Sequence, residues 1–368
     1  MSHTESRESI IIGAQLQKAR DLLQLTLEEV ALEVSTTSQD IAYWEAEKSR
    51  PTLKQLEDLA RLYGREIDYF LRVTPVPPKD IEFRGKPGKH LKDLPKETRI
   101  VLARFDELCR TALEFESLLN KRQVINLPRF IKDESPKKAA EIFRERFNAN
   151  DRPFSDLRQR LENEGTRIFE LPVLGDAFSG ISFWHKEYGP CILLNTKEPI
   201  GRKNFTLAHE LAHLLYNDGS SICYIPSKIE ISIRGLEYKA NHFAIEVLLP
   251  ESGILEDFKK RNISSSPAEK ELAQIASRWG VSIQALGYRL ENLDLIDIGI
   301  TDRVVEIRSR YFRRPKVPAW RRQLGKRFVE NSIEAYQSNL ISVGRLAHSL
   351  RIPIRKAMEI VEEQRKQG

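Results

Sequence analysis

The residues of this chain best suited to chemistry lie in FTLAHELAHLLYNDG, positions 205–219. His209, Glu210 and His213 there read H-E-x-x-H. On a helix, positions i and i+4 stand one turn apart on the same face, so both imidazoles reach a single ion. Glu210 falls about 100° round from His209, beside the metal, where a base acting on bound water belongs. The competing reading is a core helix with two incidental histidines, and the flanking Leu207, Ala208, Leu211, Ala212, Leu214 and Leu215 do suit a buried helix. A zinc site that performs chemistry takes three protein ligands and leaves a fourth position open. A metzincin would carry a glycine and a histidine where this chain has Tyr216 and Gly219, so that subclass is excluded. The third ligand must come from farther on, and Asp218, Glu230, Glu237, His242 and Glu246 are the candidates.

The segment EYKANHFAIEVLLP, Glu237 to Pro250, reads as a second helix ended by proline, with Ala240, Phe243, Ala244, Val247 and Leu248 on its packing side. Glu237 and Asn241 stack at i and i+4, which lets Asn241 steady the carboxylate or a neighbouring backbone group. His242 lies about 140° from Glu237 on that helix, so the two do not share an ion, and Glu237 is the preferred ligand. Two imidazoles and a carboxylate favour zinc over manganese. Tyr216, Tyr238 and His242 are candidate oxyanion donors. Cys223 offers a redox handle, although an inert buried thiol is the commoner role.

These motifs sit in a chain of 368 residues, 40% hydrophobic and 30% charged, which is length for two or three domains. Mean hydropathy is -0.44 and no apolar run approaches the roughly 20 residues of a bilayer span, so no membrane role is expected. The N-terminal MSHTESRESIII lacks the basic start and apolar length of a secretory signal. Three scattered cysteines make no disulfide framework, and a reducing cytoplasm is the expected compartment. A net charge of +6 permits nucleic-acid binding without requiring it.

Apolar periodicity and capping residues predict five short helices in the first seventy residues. They are Gly13 to Leu23, Leu27 to Val34, Ser38 to Ala46, one opened by Thr52 and stopped by Gly64, and a last turn from Ile67 to Leu71. Thr26 with Glu29 and Thr52 with Gln55 form capping boxes. Ile41 and Trp44 face inward on the third helix. The proline-rich text over 72–95 is a linker, and a helix from Lys96 to about Lys121 follows, either a spacer or a homodimer contact. Helices are expected near 137–147 and 155–164, then strands in TRIFELPV, GISFW and CILLN. The tail opens with arginines and lysines from Arg303 to Arg327, interleaved with Tyr311, Phe312 and Trp320. That stretch suits a nucleic-acid track or a solvated face. Two final helices split near Arg351 to Pro353.

Two resemblances follow from these letters. LTLEEVA (25–31), STTSQDIAYWE (35–45) and PTLKQLEDLARLYG (51–64) resemble the Xre/Cro-type helix-turn-helix. That implies double-stranded DNA as a partner, with the third helix in the major groove. Ser38 and Gln39 would make base or phosphate contacts with Tyr43 behind them, and Lys48 and Arg50 would touch phosphate. The family often has glycine where this chain has Glu47. The pair of FTLAHELAH and E-x-x-A-N-x-F-A-x-x-x-L-L-P resembles the ImmA/IrrE metallopeptidases over roughly 137 to 295, with Leu249 in place of a usual methionine. That family's third ligand corresponds to Glu237, and its chemistry is zinc-dependent peptide hydrolysis with Glu210 as base.

The fold class expected is mainly α with an α+β part. It comprises a five-helix helix-turn-helix domain (1–72), a proline-rich linker and long helix (73–136), a zincin-like peptidase domain with a small β-sheet (137–300), and a helical C-terminal region (301–368). The resemblances imply a DNA-binding regulator whose peptidase cleaves a protein substrate, an Xre-type repressor, to relieve repression. The competing class is a DNA-binding regulator or antitoxin whose zinc domain senses or binds a partner and cuts nothing. An intact Glu210 argues against it, because a structural site has no use for a base.

Overall fold

Polar residues just outside the N-terminal helices decide where those helices begin. The computed structural model describes residues 13–65, 67–70, 94–154, 156–173, 178–216, 221–223, 231–305 and 318–365. Among them, α1 spans Gly13–Leu22, α2 Leu27–Val34, α3 Ser38–Glu45, α4 Leu53–Tyr63, α5 Ile67–Phe70 and α6 Lys96–Leu118. The hydroxyls of Thr26, Thr37 and Thr52 accept from the backbone N–H groups of Glu29, Asp40 and Gln55 at 3.2, 3.1 and 3.3 Å, and those three side chains reach back to complete capping boxes. The box at Thr37 is an addition to the two expected; Ser35, left-handed at φ 54°, ends α2 just before it. Leu16, Ala19, Val30, Ile41, Trp44, Leu59 and Phe70 fill the core these helices share.

Glu47 stands in a left-handed conformation with φ 57°. A glycine would accept that geometry without strain, so the turn after α3 keeps its shape although the residue is bulky. Gly13 explains part of the local packing. A Cβ there would stand 2.5 Å from the Glu45 carbonyl oxygen and 2.6 Å from Glu47 Cγ, so only a bare α-carbon lets α1 start against the end of α3.

The chain divides into two compact units, residues 1–111 and 112–368, and α6 contributes to both. In the second unit α7 spans Pro136–Arg146, α8 Leu157–Asn163, β1 Arg167–Leu171, β2 Gly180–His185, β3 Gly189–Asn195, α9 Ile200–Tyr216 and β4 Ser221–Cys223. Then come α10 Ile231–Leu248, α11 Glu251–Arg261, α12 Glu269–Trp279, α13 Ile283–Asn292 and α14 Ile300–Val305. The last helices are α15 Ala319–Leu324, α16 Lys326–Gln337, α17 Val343–Leu350 and α18 Ile354–Arg365. The strands form a sheet in the order β1-β3-β2-β4, with β1 parallel to β3 and the other pairings antiparallel. All seven residues of β3 are buried, as a central strand covered on both faces requires. Strand β4, only three residues long, has no counterpart among the expected strands.

Helix α9 packs on β2 and β3 and is flanked by α10, which also packs on α7. Every residue from Thr206 to Tyr216 is buried, so the helix carries no solvent stripe and its polar members must find partners inside the protein. Helix α10 starts at Ile231, six residues ahead of the expected Glu237, which places the glutamate inside a helix instead of at its first turn. The tail belongs to this second unit. Phe328 of α16 packs on Phe115 and Phe169, with ring centroids 6.0 and 5.4 Å apart, and Arg345 of α17 bonds Glu114 at 3.1 Å. In the basic stretch, residues 306–317 lie outside the described residues. Of the rest, Arg327 faces Glu116 at 3.5 Å and donates to the Lys121 carbonyl at 3.2 Å, so it serves packing within the unit.

Candidate metal centre

His209 and His213 sit one turn apart on α9, and their Nε2 atoms approach to 3.1 Å. Glu237 of α10 meets both: Oε2 lies 3.2 Å from His209 Nε2 and Oε1 lies 3.7 Å from His213 Nε2. One ligand atom from each of the three residues falls within 4.8 Å of the others. A tetrahedral zinc with bonds of about 2.0–2.1 Å has ligand–ligand edges of roughly 3.3–3.4 Å; the two Nε2 atoms are 3.1 Å apart, and the two carboxylate contacts run to different oxygens. The donor set of two imidazoles and one carboxylate, gathered by two packed helices, fits a zinc ion that keeps an open fourth position.

Asn241, one turn after Glu237 on α10, places Oδ1 2.9 Å from His209 Nδ1. An amide oxygen only accepts, so a hydrogen bond here needs the proton on Nδ1, which leaves the Nε2 lone pair available to a metal. The sequence left two uses open for Asn241, the carboxylate or a backbone group. The fold turns it instead to a ligand histidine, because α9 crosses α10 at this turn. Of the other candidate ligands, Glu246 bonds Arg289 at 2.8 Å and the His242 ring lies against Tyr238, centroids 4.2 Å apart. Asp218 and Glu230 lie outside the described residues, as does the side chain of Cys223. The Tyr216 hydroxyl donates to the Glu134 carbonyl at 3.3 Å, and burial pushes its pKa up to about 12.

Glu210 points from α9 to the sheet. Its side chain is fully buried, and Oε2 accepts a hydrogen bond of 2.7 Å from the hydroxyl of Ser182, itself fully buried on β2. A Cβ on Gly180, two residues earlier on the same face of that strand, would stand 2.9 Å from Glu210 Oε1 and 2.5 Å from Thr206 Cγ2. Sequence reasoning passed over both residues. The signal available was a small–x–small alternation on a strand leading to the H-E-x-x-H helix.

In the first unit, α3 and the turn after it carry all five expected DNA contacts. Gln39, Tyr43, Lys48 and Arg50 are exposed, and Ser38, the first residue of α3, is half-buried. Gln39 Nε2 donates to the Tyr43 hydroxyl at 2.7 Å, and Lys48 Nζ lies 5.6 Å from the centre of the Tyr43 ring. Tyr43 therefore braces a side chain on the outer face of α3 and a cation beyond its end.

Residues 16–70 match the family model described as helix-turn-helix, and residues 161–291 match the one described as IrrE N-terminal-like domain. The chain is also 33% identical over 82 residues to the uncharacterized HTH-type transcriptional regulator YobD of Bacillus subtilis (strain 168). That match takes in 21% of this chain and 73% of YobD. The chain belongs to the helix-turn-helix transcriptional regulators. The regulator joins a DNA-binding domain to a metallopeptidase-like domain of the IrrE N-terminal type, and the His209–His213–Glu237 cluster falls inside that second domain. None of its described helices is long and apolar enough to cross a membrane.

Proposed function

We propose that the regulator is a zinc-dependent endopeptidase that cleaves a repressor of its own helix-turn-helix class and so relieves repression. The observation that carries this reading is the convergence of one ligand atom each from His209, His213 and Glu237 within 4.8 Å, with Glu210 next to His209 on the same helix. His209 and His213 hold the ion through Nε2, and Glu237 supplies the third donor. Zinc, when bound, polarises a peptide carbonyl and brings the pKa of water toward neutrality. Glu210 accepts the proton of the attacking water and delivers it to the leaving amine nitrogen. Asn241 holds His209 in the tautomer this requires.

The DNA-binding domain serves the same end. Docked through α3, it brings the peptidase to operators where repressors of its class are bound, and two copies on a two-fold operator would form the working homodimer. The test compares protein N-termini in cells carrying the wild type and Glu210→Gln, with and without stress. The glutamine keeps size and metal ligands and removes the base. The expected result is a new N-terminus inside a DNA-binding protein, seen with the wild type alone. Matching profiles under all conditions, with both proteins holding zinc and binding DNA, would overturn the peptidase and leave a sensor or partner-binding role for the metal.

A further inference from the structure

Strand β2 presents two small residues to the flank of α9 that carries Glu210. Residues i and i+2 of a strand share a face, so Gly180 and Ser182 stand side by side under that carboxylate. The Ser182 hydroxyl donates to Oε2 at 2.7 Å, and the bare α-carbon of Gly180 leaves room for Oε1, since a Cβ there would stand 2.9 Å from it. Ser182 is paired with Ile192 on β3 and Ser221 on β4, so its backbone is held from both sides and its hydroxyl has a fixed origin. A glutamate has three side-chain torsions, and the last is soft in the absence of a directional partner. A hydrogen bond from a rigid strand restricts that torsion.

We propose that Ser182, with Gly180 beside it, is the positioning residue that holds the Glu210 carboxylate in a single orientation for its work on water. The proposal rests on the peptidase reading for its consequence, though not for its geometry. Ser182 touches neither metal nor substrate and acts through Glu210. The hydroxyl occupies one lone-pair site of Oε2, and Oε1 sits in the space that Gly180 leaves open. A methyl group in its place removes that directional donor, and misplacement by about an ångström costs roughly 10²-fold in rate.

The test uses the full-length chain with Ser182→Ala, Ser182→Thr and Glu210→Gln. In crystals of the metal-free protein, Glu210 is expected to show one side-chain conformation with Ser182 or Ser182→Thr and more than one with Ser182→Ala. In cells, Glu210-dependent N-termini are expected to appear about 10²-fold more slowly with Ser182→Ala, and Ser182→Thr should restore most of that rate. Zinc per chain should be equal in all forms. A single, unchanged Glu210 conformation in Ser182→Ala would overturn the proposal whatever the activity. So would full cleavage by Ser182→Ala, or a loss of zinc or folding that Ser182→Thr does not reverse. If Glu210 is ordered by Ser182 but no form cleaves anything, the peptidase reading falls and the catalytic consequence proposed for Ser182 falls with it.

Discussion

Replacing Asn241 by alanine isolates what orients a metal ligand from the ligand itself. The Asn241 oxygen, 2.9 Å from His209 Nδ1, is the acceptor that places the proton on Nδ1 and points the Nε2 lone pair toward His213 and Glu237. Loss of such a partner typically weakens metal affinity by about 10–100-fold, or roughly 1.4–2.7 kcal/mol. Asn241 is exposed, so water can replace it as acceptor, and the expected loss lies near the lower bound, about tenfold. Competition for zinc against a chromophoric chelator at neutral pH measures this directly and needs no substrate. Asn241→Asp keeps an acceptor and should bind zinc at least as tightly as the wild type, whereas His209→Ala loses a ligand and should fall well below Asn241→Ala. Wild-type affinity in Asn241→Ala, beside a large loss in His209→Ala, would refute the reasoning that the asparagine sets the tautomer.

Other consequences are open to measurement. Glu47→Gly relieves a left-handed conformation that costs a side-chain-bearing residue about 1–2 kcal/mol, against about 0.4–1 kcal/mol for the freer unfolded chain. The net is a gain of roughly 0.5–1 kcal/mol, visible as a melting temperature a few degrees higher, and unchanged melting would count against strain at this turn. Lys48→Ala and Arg50→Ala should each lower the salt slope of DNA binding by about one without changing sequence preference, read by anisotropy on duplexes selected from random sequence. Asp40 accepts from the Thr37 and Thr36 hydroxyls and the Thr37 N–H, which holds its pKa below the ordinary 3.8. The stability it contributes is fully present above 3.8 and is lost as pH falls through the lower folded value. Asp40→Asn should flatten the acid limb of thermal unfolding there, and an unaltered limb would show that the carboxylate does not supply it.

Local features were legible in the sequence wherever neighbours along the chain decide them. Capping threonines set the starts of α2 and α4, the 3.6-residue period put Ile41 and Trp44 inside, and the four-residue spacing put His209 and His213 on one face. The residue types expected to bind zinc, and the glutamate between them, are written in that same helix. Tertiary structure decided what separate segments do to one another. Among the described candidates it brought Glu237 to the two histidines by packing α10 on α9, turned Asn241 to His209, and paired Glu246 with Arg289. It placed Gly180 and Ser182 under Glu210, a relation between a strand and a helix 28 residues apart from Ser182 to Glu210 that no local periodicity contains. The reason is physical. Helix periodicity and capping act within one or two turns of chain, whereas the direction of a buried polar side chain depends on which element packing sets against it, and that is a property of the whole core.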